Sequence, residues 1–367
     1  MKILYFTHGQ SPHDLRFLNS LSHTENQVAV LCLDRSENFD WPEGVRVLSW
    51  PDTKRDFNWL NSSWFAKAFR QIVKEFQPDV IHAGPIQRVA LIAALAKGKP
   101  LLSMSWGSDL LLEADKNAFW RWITRFTLKN TTWLAADCQT VAKKARGFGY
   151  TGPVTVFPWG VDLDHFRPGP VGSLRKQLGW EKNMVFLSNR SMEPLYGVDI
   201  VAEAFAQASQ KNDALRLFLF GKGSLEVRIQ TILKEAQDAG KVYYGGFAGL
   251  QELPDVYRSA DVYVSASHSD GSSVSLMEAL ACGKPALLSD IPSNQEWIKH
   301  EKQGWFFPDG NIRILTEKML NLPLGPDLTE ISKNARKLAE ARADWSKNFA
   351  ILLGVYTQLA ELQTRNP

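Results

Sequence analysis

Residues 270–283 read DGSSVSLMEALACG, and this stretch decides the architecture of the chain. Before it, VYVSA (262–266) is a β-branched, aromatic run suited to a buried strand, and ALLS (286–289) offers another after it. Between them the apolar spacing becomes helical, with Val274, Leu276, Met277, Leu280 and Ala281 on one broad face. Gly283, followed by Lys284-Pro285, stops that helix. In strand–loop–helix–strand order, Asp270, Gly271, Ser272 and Ser273 fall at the helix N-terminus, where free amides and the helix dipole favour an anion. Glu278 lies roughly one and a half turns further in. A carboxylate there can accept both hydrogen bonds of a vicinal diol such as a ribose. The same spacing also describes an ordinary βαβ unit whose Glu278 faces solvent.

Outward from this stretch, strands and helices alternate along the whole chain. In the second half, strands are expected at 184–187, 215–220 and 242–244, with helices at 200–207, 226–236 and 253–259. In the first half, strands are expected at 2–7, 27–33, 45–49, 79–82 and 100–105, with helices at 15–21, 61–76 and 88–96. Near-continuous apolar strands in such an alternation imply parallel sheets covered on both faces. Ligands of such sheets bind beyond the carboxyl ends of the strands. That singles out His8-Gly9 and Trp106-Gly107-Ser108-Asp109 in the first half. In the second half, Arg190 could fork onto a diphosphate, and Gly221-Lys222-Gly223 lets backbone amides approach an anion. No GxGxxG follows the first strand, which disfavours a nicotinamide or flavin dinucleotide fold.

A length of 367 residues suits two domains better than one. The formal charge of +3 comes without a long basic run, so nucleic acid is not an expected partner. No apolar stretch approaches the roughly 18 residues of a membrane span, and MKILYFTHG reads as a buried strand rather than a signal peptide. Cys32, Cys138 and Cys282 are far apart in mostly apolar settings, as reduced core cysteines are, and point to the cytoplasm. The thirteen tryptophans are many for this length. Within 113–133, Phe119, Trp120, Trp122, Phe126 and Trp133 interleave with Arg121, Arg125 and Lys129. That pattern suits a membrane-surface patch at the inner face of the membrane, but the aromatics do not share one helical face. Packing against the sheet is therefore the expectation.

The motif at 270–285 resembles the acid-x7-acid signature and EAMAxGxP run of family 4 glycosyltransferases (glycosyltransferase group 1), whose fold is GT-B. Here it is Asp270-x7-Glu278 and EALACGKP, with Asp270 in place of the usual Glu. VTVFPWGVDLDHFRP (154–168) is similar to the family's domain joint, with Trp159 for the usual Asn. The resemblance implies two doubly wound Rossmann-like domains facing across a cleft. An acceptor-binding domain would span 1–160 and a nucleotide-sugar-binding domain 161–345. A helix in 346–367 would cross back to the first. It also implies that Glu278 holds the ribose and Asp270 addresses the donor sugar. Arg190 would clamp the diphosphate, beside a loop containing Gly246 that approaches the base. Gly9 and Asp109 would line the first domain's side of the cleft. The lysine that normally joins Arg190 is replaced in Tyr196-Gly197, so either Lys222 supplies the second positive charge or phosphate binding is weaker than in the family.

The activity so implied is transfer of a sugar from a nucleoside-diphosphate sugar to a glycan, lipid-linked or small-molecule acceptor hydroxyl. It would proceed as in retaining hexosyltransferases, with no metal and no cofactor beyond the donor substrate. The sequence has no His/Cys/carboxylate cluster at metal-ligand spacing. A sugar-nucleotide epimerase of the same fold and a non-catalytic GT-B binding module are the alternatives.

Overall fold

The computed structural model describes residues 1–34, 39–52 and 55–365. Packing divides the chain into two units, Met1–Phe157 joined by the chain from Ala350 on, and Pro158–Phe349.

The first unit is built on β1 (Lys2–Thr7), β2 (Gln27–Cys32), β3 (Arg46–Leu48), β4 (Val80–Ala83), β5 (Leu101–Met104), β6 (Trp133–Ala136) and β7 (Val154–Val156). They form one sheet in the order β3-β2-β1-β4-β5-β6-β7, parallel at every junction. Ile3, Leu4, Val80, Ile81, Leu101 and Leu102 are fully buried, as a sheet covered on both faces requires. Helix Ser62–Phe76 lays Phe65, Phe69 and Ile72 on this core, and left-handed Gln77 ends it. The terminal helix Trp345–Arg365 supplies Tyr356, whose hydroxyl lies 2.6 Å from His82 Nδ1 on β4. Burial pushes His82 down to about 3, so the imidazole is neutral in the folded protein.

The second unit contains β8 (Met184–Ser188), β9 (Leu215–Phe220), β10 (Val242–Gly246), β11 (Val262–Ser265), β12 (Ala286–Ser289) and β13 (Gly304–Phe307). The order is β10-β9-β8-β11-β12-β13, again all parallel. The two-residue period of LRLFLF shows how the sheet is covered. Leu215, Leu217 and Leu219 join a core with Val201, Phe205 and Leu315, while Phe218 and Phe220 join another with Leu276, Leu280 and Trp297 on the opposite face. Val161 N donates to Ala343 O at 2.7 Å and Trp345 N to Val161 O at 3.0 Å, which ties the joint segment to the start of the terminal helix.

Several elements differ from the sequence reading. Trp133 opens β6 rather than closing an aromatic helix, because Asn130 caps the helix Ala118–Lys129 and the chain then turns into the sheet. The second-half sheet has a further edge strand, β13, after β12. The helix expected at 226–236 is two, Glu226–Ile232 and Lys234–Asp238. Residues 88–96 begin as a π-turn, Ile86–Ala90, before Leu91–Leu95. The expected packing of the 113–133 aromatics holds for part of them only, since Phe119 and Trp122 are 47% and 58% exposed. The last two residues of the 346–367 segment lie outside the described residues.

Candidate functional site

In the second unit the strand order reverses between β8 and β11, and a crevice opens beyond the carboxyl ends of strands at such a point. Arg190 leaves the end of β8, and Asp270 lies on the loop after β11 that runs into helix Val274–Ala281. The reversal is what brings these two residues together, although 80 positions separate them. Arg190 Nη2 donates to Asp270 Oδ2 at 2.6 Å, while Nη1 donates to Ser273 Oγ at 2.7 Å and Ser275 Oγ at 3.1 Å. The side chains of the pair are 11% and 18% exposed. Tyr263 on β11 braces the group through a 2.9 Å contact between its hydroxyl and Ser275 Oγ.

The face of the guanidinium is covered too. Arg190 Cζ sits 4.2 Å from the ring centroid of Tyr196, the residue that stands where a lysine was expected. A lysine at this position would bring a second cation to the anion seat. The tyrosine instead holds the first one still. Arg190 Nε, at the edge of the fork, and the neighbouring Asn189 Oδ1 are buried without a hydrogen-bond partner among the described residues. Orphaned buried polar atoms are rare and call for an explanation. A ligand phosphate would satisfy the donor.

Burial and the ion pair act in opposite directions on both groups. Burial raises the Asp270 carboxyl above the usual aspartate range, and Arg190 opposes the rise. Burial also works against the charged guanidinium, but Asp270 and the surrounding tyrosines outweigh it and hold Arg190 above its ordinary range. Asp270 was expected to address a sugar. Here its Oδ2 is held by Arg190, and Gly271 N holds its other oxygen at 3.0 Å.

Glu278 is only 9% exposed, so the solvent-facing alternative fails. Tyr257 from helix Leu253–Ser259 donates to Glu278 Oε2 at 2.7 Å, and Asn189 Nδ2 donates to the same tyrosine hydroxyl at 2.7 Å. This relay fixes the carboxylate rotamer and joins it to the loop that carries Arg190. Ser273 caps the helix by accepting from Leu276 N at 3.4 Å, and Ser272 Oγ accepts from Trp297 Nε1 at 3.0 Å. Both serines therefore hold the loop as well as facing the site.

Backbone packing closes the back of the crevice. Gly221, at φ +118°, lies so near Arg190 that a Cβ would come within 2.5 Å of its carbonyl oxygen. Gly221 N donates to Gly246 O at 2.6 Å, which places the Gly246 turn beside the same loop. Lys222 O accepts from Met192 N at 2.9 Å, and the Lys222 side chain is exposed without an ion-pair partner among the described residues.

The remaining two sequence candidates belong to the first unit. Gly9 follows β1, with space around its Cα, and Thr7 Oγ1 donates to its carbonyl at 3.3 Å. Asp109, expected to line the first domain's side of the cleft, is buried within the first unit. Its Oδ1 accepts from Ser105 Oγ, Trp106 N and Leu110 N at 2.6, 3.1 and 2.9 Å, and its Oδ2 accepts from Ile86 N at 2.9 Å. It is 2% exposed, and burial pushes it up to about 6. A carboxylate filled by four internal donors shapes the loop after β5 instead of reaching a ligand.

Two family descriptions match this chain: "Glycosyl transferases group 1" over residues 172–338 and "Glycosyl transferase 4-like" over residues 2–138. Each half of the chain is thus similar to glycosyltransferases, the second half to those of group 1. Relatives of this chain include the D-inositol 3-phosphate glycosyltransferase of Saccharomonospora viridis, 28% identical over 56% of this chain. Another is the GtfA subunit of a UDP-N-acetylglucosamine–peptide N-acetylglucosaminyltransferase from Streptococcus gordonii, 30% identical over 47% of this chain. The matches span 49% and 35% of those relatives' own lengths. Among solved structures, HepE of Anabaena in complex with UDP aligns over 98% of this chain and all of its own, at TM-score 0.77 and 17% identity. Sucrose-phosphate synthase of Thermosynechococcus elongatus aligns over 98% of both chains, at TM-score 0.80 and 18% identity. The fold of this chain is thus GT-B, two doubly wound α/β domains.

Sequence reasoning missed Tyr257, Asn189, Ser275 and Tyr263 in the site. Only Asn189 carried a usable signal, as the neighbour of a strand-end arginine.

Proposed function

We propose that this chain transfers a sugar from a nucleoside-diphosphate sugar to an acceptor hydroxyl, with retention at the anomeric carbon. The observation that carries the reading is the buried Arg190 guanidinium at the switch point, bonded to Ser273 and to a displaceable carboxylate, with one N–H still unpartnered. It is a built seat for a diphosphate. Glu278, held by Tyr257 on the same helix as Ser273, is placed to take the ribose diol.

In the proposed reaction the bond between the anomeric carbon and the phosphate oxygen breaks, and its electron pair stays with the diphosphate. The acceptor oxygen bonds to the same face of that carbon, and its proton passes to a phosphate oxygen. Arg190, the exposed Lys222 and the N-terminus of helix Val274–Ala281 stabilise the charge that develops on the leaving group, so no metal is needed. Once the phosphate takes over Arg190, Asp270 is released towards the sugar. Glycans, lipid-linked sugars and small polyols are the acceptors to try.

The test is product analysis by proton NMR in chelator, with uridine-diphosphate sugars as the first donors. A new glycosidic bond with the donor's anomeric configuration supports the reading. An inverted product would refute the proposed face of attack. Donor consumed without acceptor would point to the epimerase.

A further inference from the structure

Helix Ala118–Lys129 turns two different strips outward. Ile123, Thr124, Thr127 and Leu128 face the core. Around the opposite side, at helical spacing, Arg121, Arg125 and Lys129 form one exposed strip, and Trp122, Phe126 and Phe119 form the strip beside it. Trp122 stacks on Phe126 at 5.7 Å, and Phe119 meets Trp59 edge-on at 5.3 Å. Next to Trp59, Leu60 is 97% exposed. Large side chains at such exposure, gathered from two segments, form an apolar patch that the rest of the described residues of the first unit leave uncovered.

The basic strip opens into a cavity of about 540 Å³ lined by Arg121, Arg125, Lys143 and Lys144, with Asp115 as the carboxylate in its wall. Asp115 pairs with Lys144 and, at 3.2 Å, with Arg121. Arg125 and Lys143 have no carboxylate partner among the described residues, and nearby Glu113 is taken by Lys116 at 3.6 Å. Two uncompensated cations in a concavity, bordered by exposed tryptophan and phenylalanine, match a surface that is anionic outside and apolar just beneath. That surface is a bilayer of anionic phospholipid, with a headgroup phosphate in the cavity and the aromatics at the acyl boundary.

We propose that the first unit docks peripherally on anionic membranes through helix Ala118–Lys129 and the Trp59-Leu60 turn. No helix among the described residues is long and apolar enough to cross a membrane, so the contact is one of surface adsorption.

Flotation of the full chain with phosphatidylcholine vesicles, with and without about 30 mol % phosphatidylglycerol, tests this. The expected result is binding to the anionic vesicles, at least about tenfold weaker to the neutral ones, and weakening with added salt. Phe119→Ser/Trp122→Ser and Arg125→Glu/Lys143→Glu should each lower the partition coefficient about tenfold or more while far-UV circular dichroism stays unchanged. Lys234→Glu/Lys333→Glu makes the same charge change on exposed residues of the second unit and should leave binding within about twofold. Equal binding to neutral vesicles, or an equal loss in the control variant, would overturn the proposal. So would tight binding to dextran sulfate without binding to vesicles, which would make the partner a soluble polyanion.

Discussion

Replacing Arg190 by alanine strips the buried carboxylate of Asp270 of its cation at 2.6 Å and removes the stack on Tyr196. Breaking a buried pair by deleting one partner costs about 3–5 kcal/mol, and a buried cation–π contact adds about 1 kcal/mol. The 18% exposure of the Asp270 side chain argues for the low end of that range, so about 4 kcal/mol in all. For a unit of this size that lowers Tm by about 8–16 °C. The loss should depend on pH. Asp270 already has a raised pKa, and without Arg190 it rises further. A folded-state pKa above the unfolded one contributes stability below the unfolded value and loses it as pH rises, so Arg190→Ala should be less damaging at pH 5 than at pH 8. Asp270→Asn in the Arg190→Ala background should recover about 2 kcal/mol, whereas in the wild type it should destabilise. Thermal melts of the four proteins at both pH values give the cycle. A loss below about 1 kcal/mol, or one unchanged when Asp270 is already asparagine, would refute the buried pair.

Glu278→Ala should lower kcat/KM at least about tenfold, about 1.4 kcal/mol of transition-state binding, while Tyr257→Phe, which only loosens the rotamer, should lose less. Gly197 has φ +58°, and a Cβ there would come within 2.2 Å of the Ala266 carbonyl oxygen, so Gly197→Ala should cost about 2 kcal/mol or more in a urea titration. His82 is held down to about 3, so its contribution is complete above the unfolded pKa near 6.5 and is lost as pH falls from there towards 3. His82→Leu, although less stable throughout, should flatten the fall of stability between those pH values.

The sequence was most readable where local period and ligand chemistry coincide. VYVSA gives way to helical spacing within a few residues, and that switch placed Asp270 and Glu278 on the loop and helix where they stand. Arg190 was legible as the residue that leaves a strand. Contacts that depend on the sheet order were not legible. The Arg190–Asp270 pair exists because β8 and β11 are neighbours, a pairing made over a separation that no local pattern encodes. Tyr257 reads as a core residue of an amphipathic helix, and its bond to Glu278 depends on how two helices meet. Asp109 shows the opposite failure. Trp-Gly-Ser-Asp looks like a ligand loop, but burial and four internal donors make its carboxylate structural. Strand β6 was missed because its first residue, Trp133, was read with the aromatic stretch 113–133, and GWFF of β13 was not singled out at all.

Thermal stabilisation by a panel of nucleoside diphosphates and their sugars, run on the wild type and on Glu278→Ala, tests the donor site most directly. A ligand at about 100 times its Kd should stabilise the wild type by about 2.7 kcal/mol. One nucleotide series should do so, and the shift should disappear in Glu278→Ala. Silence across the panel in the wild type, or a shift that the variant keeps in full, would contradict a nucleotide site built on Arg190 and Glu278.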